Sequence, residues 1–207
     1  MTAGILALLC ITILCILFFT GWLPGLEQEL SVNKRDLFIF LALSFGLTGR
    51  SPWNVNLALQ IHPGIFVLFI LFFIFLKKIS LVRLLRLASF SLCTSSLLFF
   101  WHEMFRMSAD WSHSVFRMVT AVVLPLGAMA AAKALGEKIL FLTLSLLSLH
   151  FLLLYFHREV LNPILIGEEA FLDTFWLTMS VFILLTDPVP SFVLWIKERR
   201  FLRIKQR

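Results

Sequence analysis

Residues 139–157 read ILFLTLSLLSLHFLLLYFH, 19 consecutive positions without aspartate, glutamate, lysine or arginine. A helix needs about 20 predominantly apolar residues to cross the hydrocarbon core of a bilayer. The apolar side chains surround the whole helix instead of forming one stripe, and they do not alternate as they would in a strand of a membrane barrel. This stretch therefore predicts a transmembrane helix.

Similar apolar runs occupy most of the chain. Of its 207 residues, 60% are hydrophobic and 14% are charged, whereas soluble domains usually have about 45–50% apolar and roughly 25% charged residues. The runs predict seven spans, at 3–23, 37–49, 52–76, 87–105, 112–134, 139–157 and 170–187. We therefore expect an all-α, polytopic transmembrane helical bundle over residues 1–187, with the lipid bilayer as its surroundings.

The second predicted span is the shortest. Asp36 and Arg50 leave 13 uncharged residues between them, which is about 20 Å of helix, and the hydrocarbon core is about 30 Å thick. Snorkelling of basic side chains or local thinning of the bilayer would cover the difference. The alternative is a re-entrant hairpin, which would change the number of crossings.

Lysine and arginine are unequally distributed between the two sides of the predicted bundle. With the N-terminus outside, 14 of the 18 basic residues fall on the cytoplasmic side. Cytoplasmic loops are enriched in lysine and arginine, and this bias sets the orientation. We therefore expect the N-terminus outside and the C-terminus in the cytoplasm. Because the cations lie at the ends of spans, the pI of about 9.7 does not indicate nucleic-acid binding.

A basic amphipathic tail, residues 188–207, follows the predicted bundle. It mixes aromatic side chains with six cations. We expect it to lie along the inner leaflet, where each lysine or arginine near anionic lipid contributes about 1 kcal/mol. Docking on a membrane protein partner is the alternative for this segment.

Two of the predicted spans contain proline in the interior. Pro63 is expected to kink the third span, because proline removes a helical hydrogen bond and clashes with the preceding turn. Pro125 and Gly127 are expected to interrupt the fifth span. Broken helices line substrate cavities in some transporters, although proline and glycine are also common in ordinary membrane helices.

The polar side chains are concentrated in the outer half of the predicted bundle. Ionisable groups inside spans are costly, so they usually pair with each other or line a pathway. Arg117 and His150 are the most deeply embedded, and Asp173 is the expected partner of Arg117. The candidate cluster consists of Asn56, Gln60, His62, His113, Arg117, His150, His157 and Asp173. A structural salt bridge between helices and a solute or ion site both account for it.

The sequence lacks the motifs of common catalytic and metal sites. His102-Glu103 begins a zincin-like motif, but Arg106 stands where the second histidine is required. His150 and His157 share a helix face, yet no other span has two histidines to face them across a haem. The three cysteines lie inside apolar spans without the spacing of metal ligands. We therefore expect no enzymatic activity, no cofactor and no metal.

Three short patches carry a family resemblance. They are MTAG at 1–4 through TGW at 20–22, GEE at 167–169 and WLT at 176–178. These patches are similar to those of small YphA-type multi-pass membrane proteins of endospore-forming bacteria. The resemblance implies a bacterial plasma membrane and carries no catalytic residues with it.

The leading functional hypothesis is a multi-pass plasma-membrane protein without enzymatic activity, structural or accessory to a membrane assembly. Ala3 and Ala7 form a small-xxx-small pair of the kind that packs against a partner helix. The alternative is a solute-binding or transport subunit with an outward-facing polar vestibule formed by the third, fifth, sixth and seventh spans. A membrane-embedded enzyme that uses His102 and Glu103 is a third hypothesis.

Overall fold

The computed structural model describes residues 4–23, 34–77, 79–106, 113–159, 161 and 163–186. The helices in these residues are α1 Ile5–Phe19, α2 Lys34–Thr48, α3 Ile65–Leu76, α4 Leu81–Arg106, α5 His113–Ala131, α6 Leu135–His157 and α7 Glu169–Thr186. Three short strands are β1 Trp53–Asn56, β2 Leu59–Ile61 and β3 Ile164–Ile166. The predicted all-α bundle is confirmed, and the predicted tail at 188–207 lies outside the described residues.

Four helices have the length and apolar composition needed to cross a bilayer: α4, the Ser114–Ala131 part of α5, α6 and α7. Helices α1 and α3 are apolar but shorter, with 15 and 12 residues, or about 22 and 18 Å of helix. Helix α2 also has 15 residues and runs without interruption. The re-entrant hairpin considered for that segment is therefore wrong.

The predicted third span, 52–76, is wrong in its first half. Residues 53–61 form an antiparallel hairpin of β1 and β2, and β3 adds in parallel to β2, so that the strand order is β1-β2-β3. Pro63 precedes α3 and does not kink it. Proline restricts the residue before it to extended conformations, and β3, which comes from a distant part of the chain, supplies the hydrogen bonds that favour strands here.

The predicted interruption of the fifth span is also wrong, because α5 continues through Pro125. Neighbouring helices stabilise proline-containing helices in membranes by satisfying or covering the freed backbone groups. Gly127 lies close to α6: a methyl group added at this glycine would be 3.6 Å from the Phe141 ring. This distance is an ordinary van der Waals contact, so the packing of α5 against α6 leaves room for a Cβ at this position.

Helix α6 is the centre of the bundle and packs against α3, α4, α5 and α7, while α1 packs against α2 and α7. Hydroxyl groups line the contact between α4 and α6. Ser95 Oγ donates a hydrogen bond to the Ser145 carbonyl at 2.8 Å, and Ser91 Oγ donates to the Phe141 carbonyl at 3.3 Å. Small side chains let two helix backbones approach closely.

The two ends of the bundle differ in chemistry. At the polar end, the N-termini of α1, α5 and α7 and the three strands meet the C-termini of α4 and α6. At the basic end, Arg83 of α4 lies 3.3 Å from Glu137 of α6. Lys77, Arg86 and Lys133 are exposed at the same end.

Candidate functional site

Asp173 of α7 binds the N-terminus of α1. Its Oδ1 accepts a hydrogen bond from the Ala7 amide at 2.7 Å, and its Oδ2 accepts one from the Gly4 amide at 3.2 Å. Gly4 is the N-cap residue, with φ of 86° and no side-chain cap. The Asp173 carboxylate, from another helix, thus caps the N-terminus of α1 in place of an N-cap side chain. The positive end of the α1 dipole also favours the anion.

The hypothesis that Ala7 packs against a partner helix is wrong. Ala7 has no exposed surface, and its amide bonds to α7. It therefore packs inside the bundle and is not available to a partner helix, while Ala3 lies outside the described residues.

Arg117 of α5 completes the surroundings of Asp173. Its Nη1 donates to Asp173 Oδ2 at 3.3 Å, which confirms the predicted pair. The side chain of Asp173 is 2% exposed and that of Arg117 is 23% exposed. Arg117 is consequently the more accessible member of this pair, and its guanidinium has five N–H donors.

His150 of α6 does not join the Arg117–Asp173 pair. Its Nε2 accepts a hydrogen bond from the Gly167 amide at 2.9 Å, and its ring stacks on Phe171 with 4.1 Å between centroids. Because Nε2 accepts, the neutral ring carries its proton on Nδ1. A Cβ added at Gly167, where φ is +77°, would lie 2.9 Å from the Ile65 Cβ, so the turn before α7 needs glycine.

Glu103 of α4 forms a second ionic centre at the polar end. Its Oε1 lies 3.0 Å from His102 Nδ1 and 3.4 Å from His157 Nε2. Its Oε2 lies 3.4 Å from Arg106 Nε. The carboxylate therefore contacts side-chain nitrogen atoms of both α4 and α6 and links the C-terminal ends of these helices.

Two of the predicted site residues belong to the sheet. Asn56 is exposed, and its Oδ1 accepts a hydrogen bond from the Ala58 amide at 2.9 Å, a contact that stabilises a turn. Gln60 lies in β2 opposite Leu165 of β3. Asn56 therefore stabilises the turn of the hairpin, whereas Gln60 is a position in the strand that pairs with both β1 and β3.

His62 lies between β2 and α3 and is fully buried. Its amide donates to the Ile166 carbonyl at 2.9 Å, and its Nδ1 accepts a hydrogen bond from the Gly64 amide at 3.1 Å. Burial lowers the pKa of His62, and the negative charge of Glu169 opposes that shift. The residue fixes the connection from the sheet to α3. The side chain of His113, also predicted to belong to the cluster, lies outside the described part of the chain.

A cavity of about 570 Å³ lies at the polar end between α4, α5, α6 and α7, and we call it the polar cavity. Its volume falls within the range of about 300–1,000 Å³ that is typical of ligand sites. Arg117, His150 and His157 of the predicted cluster line it. The remaining lining residues are His102, Arg106, Phe116, Leu146, Leu149, Leu153, Leu154, Leu161, Glu168, Ala170, Phe171 and Thr174.

Four polar lining residues are absent from the predicted cluster: His102, Arg106, Glu168 and Thr174. His102 and Arg106 are four positions apart and share a helix face, and this spacing was the available signal. The sequence alone does not show that this face of α4 turns toward α6. The composition of the site therefore depends on how the helices pack against one another.

No three histidine, cysteine, aspartate or glutamate side chains among the described residues are arranged to bind one metal ion. Comparison of the chain with protein-family models, with curated proteins and with solved structures found no match.

Proposed function

We propose that this chain is a small multi-pass protein of the bacterial plasma membrane that binds a solute in the polar cavity. The observation that carries the proposal is the exposure of Arg117 at the wall of a 570 Å³ cavity while its partner Asp173 is buried. Polar groups that converge on a largely apolar pocket are the usual mark of a small-molecule site.

The proposal includes seven crossings with the polar end outside. The ring of Phe19 at the end of α1 lies 5.1 Å from that of Phe38 near the start of α2, so α2 runs back toward the polar end. Helices α1, α3, α5 and α7 then run from the polar end to the basic end, and α2, α4 and α6 run the opposite way. The positive-inside rule favours a cytoplasmic location for the basic end.

The short helices fit a bilayer that is thinned around them. Alternatively, other parts of the chain cover the ends of these helices. Each Å of mismatch between helix length and hydrocarbon thickness usually costs a fraction of a kcal/mol. The β1–β2 hairpin precedes α3 in the chain and lies at the polar end of this helix. Its first strand is exposed along its whole length. Trp53 in this strand is suited to the interface between lipid and water, where tryptophan is enriched.

The test is gentle purification followed by mass spectrometry of co-purified small molecules. Leu153→Trp fills the polar cavity without changing its charge, and Leu97→Trp, at a position of α4 that is 65% exposed, serves as the matched control. We expect one compound near stoichiometry in the wild type and in Leu97→Trp, and its loss in Leu153→Trp. Equal retention in both variants would refute binding in this cavity.

An accessory role in a membrane assembly is the second candidate, and one feature of α2 favours it. Ala42 and Gly46 lie four positions apart and are exposed, and a Cβ added at Gly46 would meet no atom within 4 Å. Such a pair permits close approach of another helix. Loss of a co-purified protein in Gly46→Leu, and its retention in Phe45→Leu, would support this role.

A further inference from the structure

Most of the polar side chains that line the polar cavity are hydrogen-bond donors. Arg106 and Arg117 contribute two permanent cations, because arginine stays protonated in proteins. His150 contributes a neutral ring whose Nε2 is already occupied by the Gly167 amide, which leaves Nδ1–H as its donor. Glu168 is the one carboxylate among the lining residues.

Two nearby carboxylates that do not line the cavity are already occupied. Asp173 accepts hydrogen bonds from two backbone amides as well as from Arg117. Glu103 is surrounded by His102, His157 and Arg106. Since Asp173 shares its negative charge with the N-terminus of α1, it neutralises Arg117 only in part. Arg106 and Arg117 each contact a carboxylate through one nitrogen atom, so the other N–H groups of both guanidinium groups can donate to an anionic group in the cavity.

Part of the cavity wall is apolar. Leu146, Leu149 and Leu153 follow one another at helical spacing on α6, and Phe116 and Phe171 face the cavity from α5 and α7. A small inorganic anion would contact the cations and leave this wall without a partner. A ligand with an aliphatic part would bury the wall and gain the free energy of removing apolar surface from water.

We propose that the polar cavity binds an amphiphilic anion, with a carboxylate or phosphate head at Arg117 and Arg106 and an aliphatic chain along the leucines of α6. This inference rests on the proposed function and names its ligand class. The head is matched by guanidinium groups, which bind carboxylate and phosphate through paired hydrogen bonds. The ligand can come from a free fatty acid or from an anionic phospholipid, because both have this chemistry.

The test uses the full chain in nanodiscs of phosphatidylcholine and a hexadecanoic acid that carries a diazirine in its chain. The matching diazirine alcohol has the same chain without the charge. After illumination, mass spectrometry locates the adducts. We expect the acid to label the α6 wall between Leu146 and Leu154 about tenfold more than the alcohol does, the difference expected for one hydrogen bond to a charged group.

Three variants test the residues that carry the inference. Arg117→Gln and Arg106→Gln should each lower labelling by the acid about tenfold. Arg106→Gln is the safer variant for folding, because its side chain is 54% exposed and does not contact Asp173. Arg83→Gln, at the basic end, should leave labelling unchanged.

Competition identifies the source of the anion. Suppression by unlabelled hexadecanoate alone indicates a fatty acid, and suppression by phosphatidic acid indicates a phospholipid head; either outcome supports the inference. Equal labelling by acid and alcohol would overturn the anionic class and leave solute binding in the cavity intact. A small polar compound without a chain, retained in the purification experiment and absent from Leu153→Trp, would likewise overturn the inference and preserve the proposed function.

Discussion

Asp173 combines three interactions in a side chain with almost no exposed surface. Its oxygens accept from the amides of Gly4 and Ala7 at the start of α1 and from the guanidinium of Arg117 on α5. One carboxylate on α7 therefore connects three helices. It also contacts Arg117 at the cavity wall, so that stability and the proposed ligand binding depend on the same residue.

We expect Asp173→Ala to destabilise the bundle by about 3 kcal/mol, because breaking a buried ion pair strands the remaining charge. The two amides of α1 would lose their acceptor at the same time. Reversible unfolding in mixed micelles with increasing SDS measures the change in the free energy of unfolding.

The matched control for Asp173→Ala is Glu137→Ala, which breaks the Arg83–Glu137 pair, whose arginine side chain is 69% exposed. Exposed pairs contribute about 0–1 kcal/mol. If both variants lost the same free energy of unfolding, the assigned role of Asp173 would be wrong.

Gly167 and Gly21 form a natural pair for separating backbone strain from steric overlap. Their φ angles are +77° and +73°, but a Cβ at Gly167 would lie 2.9 Å from the Ile65 Cβ, whereas one at Gly21 meets nothing within 4 Å. We expect Gly21→Ala to cost about 1 kcal/mol from the left-handed conformation. We expect Gly167→Ala to cost about 1–3 kcal/mol more, because overpacking adds to the strain.

The same SDS titration measures both glycine variants, and His150 provides a second readout. Displacement of Gly167 removes the amide that donates to His150 Nε2, so the Nε2 resonance of this ring should change in Gly167→Ala and not in Gly21→Ala. Equal losses of stability in the two variants would show that contact with Ile65 has no energetic consequence.

At the scale of elements, the contact between α4 and α6 depends on small hydroxyl side chains. Ser95 is fully buried, and its hydroxyl hydrogen lies between two acceptors, the Ser145 carbonyl of the facing helix at 2.8 Å and the Ser91 carbonyl of α4 at 2.6 Å. We expect Ser95→Ala to cost about 0.6 kcal/mol, the average for a hydrogen bond between membrane helices. Ser95→Leu should cost about 1–3 kcal/mol or more, because its added volume separates the helices.

Ser89→Leu is the control for this contact, because Ser89 lies on the same helix but is exposed. Unfolding in SDS should be unchanged in this variant within about 0.5 kcal/mol. A loss in Ser89→Leu equal to that in Ser95→Leu would indicate an effect of leucine on α4 itself and contradict the packing argument.

The positions of the helices could be predicted from apolar runs, because a span must satisfy its backbone hydrogen bonds within itself. The hairpin at 53–61 could not, since β2 depends on β3, which lies about one hundred residues further along the chain. The pair of Arg117 with Asp173 followed from the cost of isolated charges in a bilayer. The contact of Asp173 with the α1 amides could not be predicted, because helix packing decides which side chain lies next to which helix end.

At the scale of the whole molecule, the proposed orientation follows from the separation of the polar and basic ends. The test is cysteine labelling in a chain in which Cys10, Cys15 and Cys93 are replaced by alanine. Leu57 is fully exposed in the turn between β1 and β2, so Leu57→Cys at the polar end should react with a membrane-impermeant maleimide in intact cells. Lys133→Cys at the basic end should react only after lysis, because the bilayer separates it from the reagent.

Helix α2 gives the strictest form of this topology test, because it is the shortest predicted span and decides whether the crossings are odd or even. Arg35 and Arg50 lie at its two ends and both are exposed. If α2 crosses, Arg50→Cys should react in intact cells and Arg35→Cys only after lysis. If both reacted from the same side, α2 would not cross the membrane. Helices α1 and α3 could then not run in the same direction through it. Either the cavity would not open to the outside or the N-terminus would not lie outside.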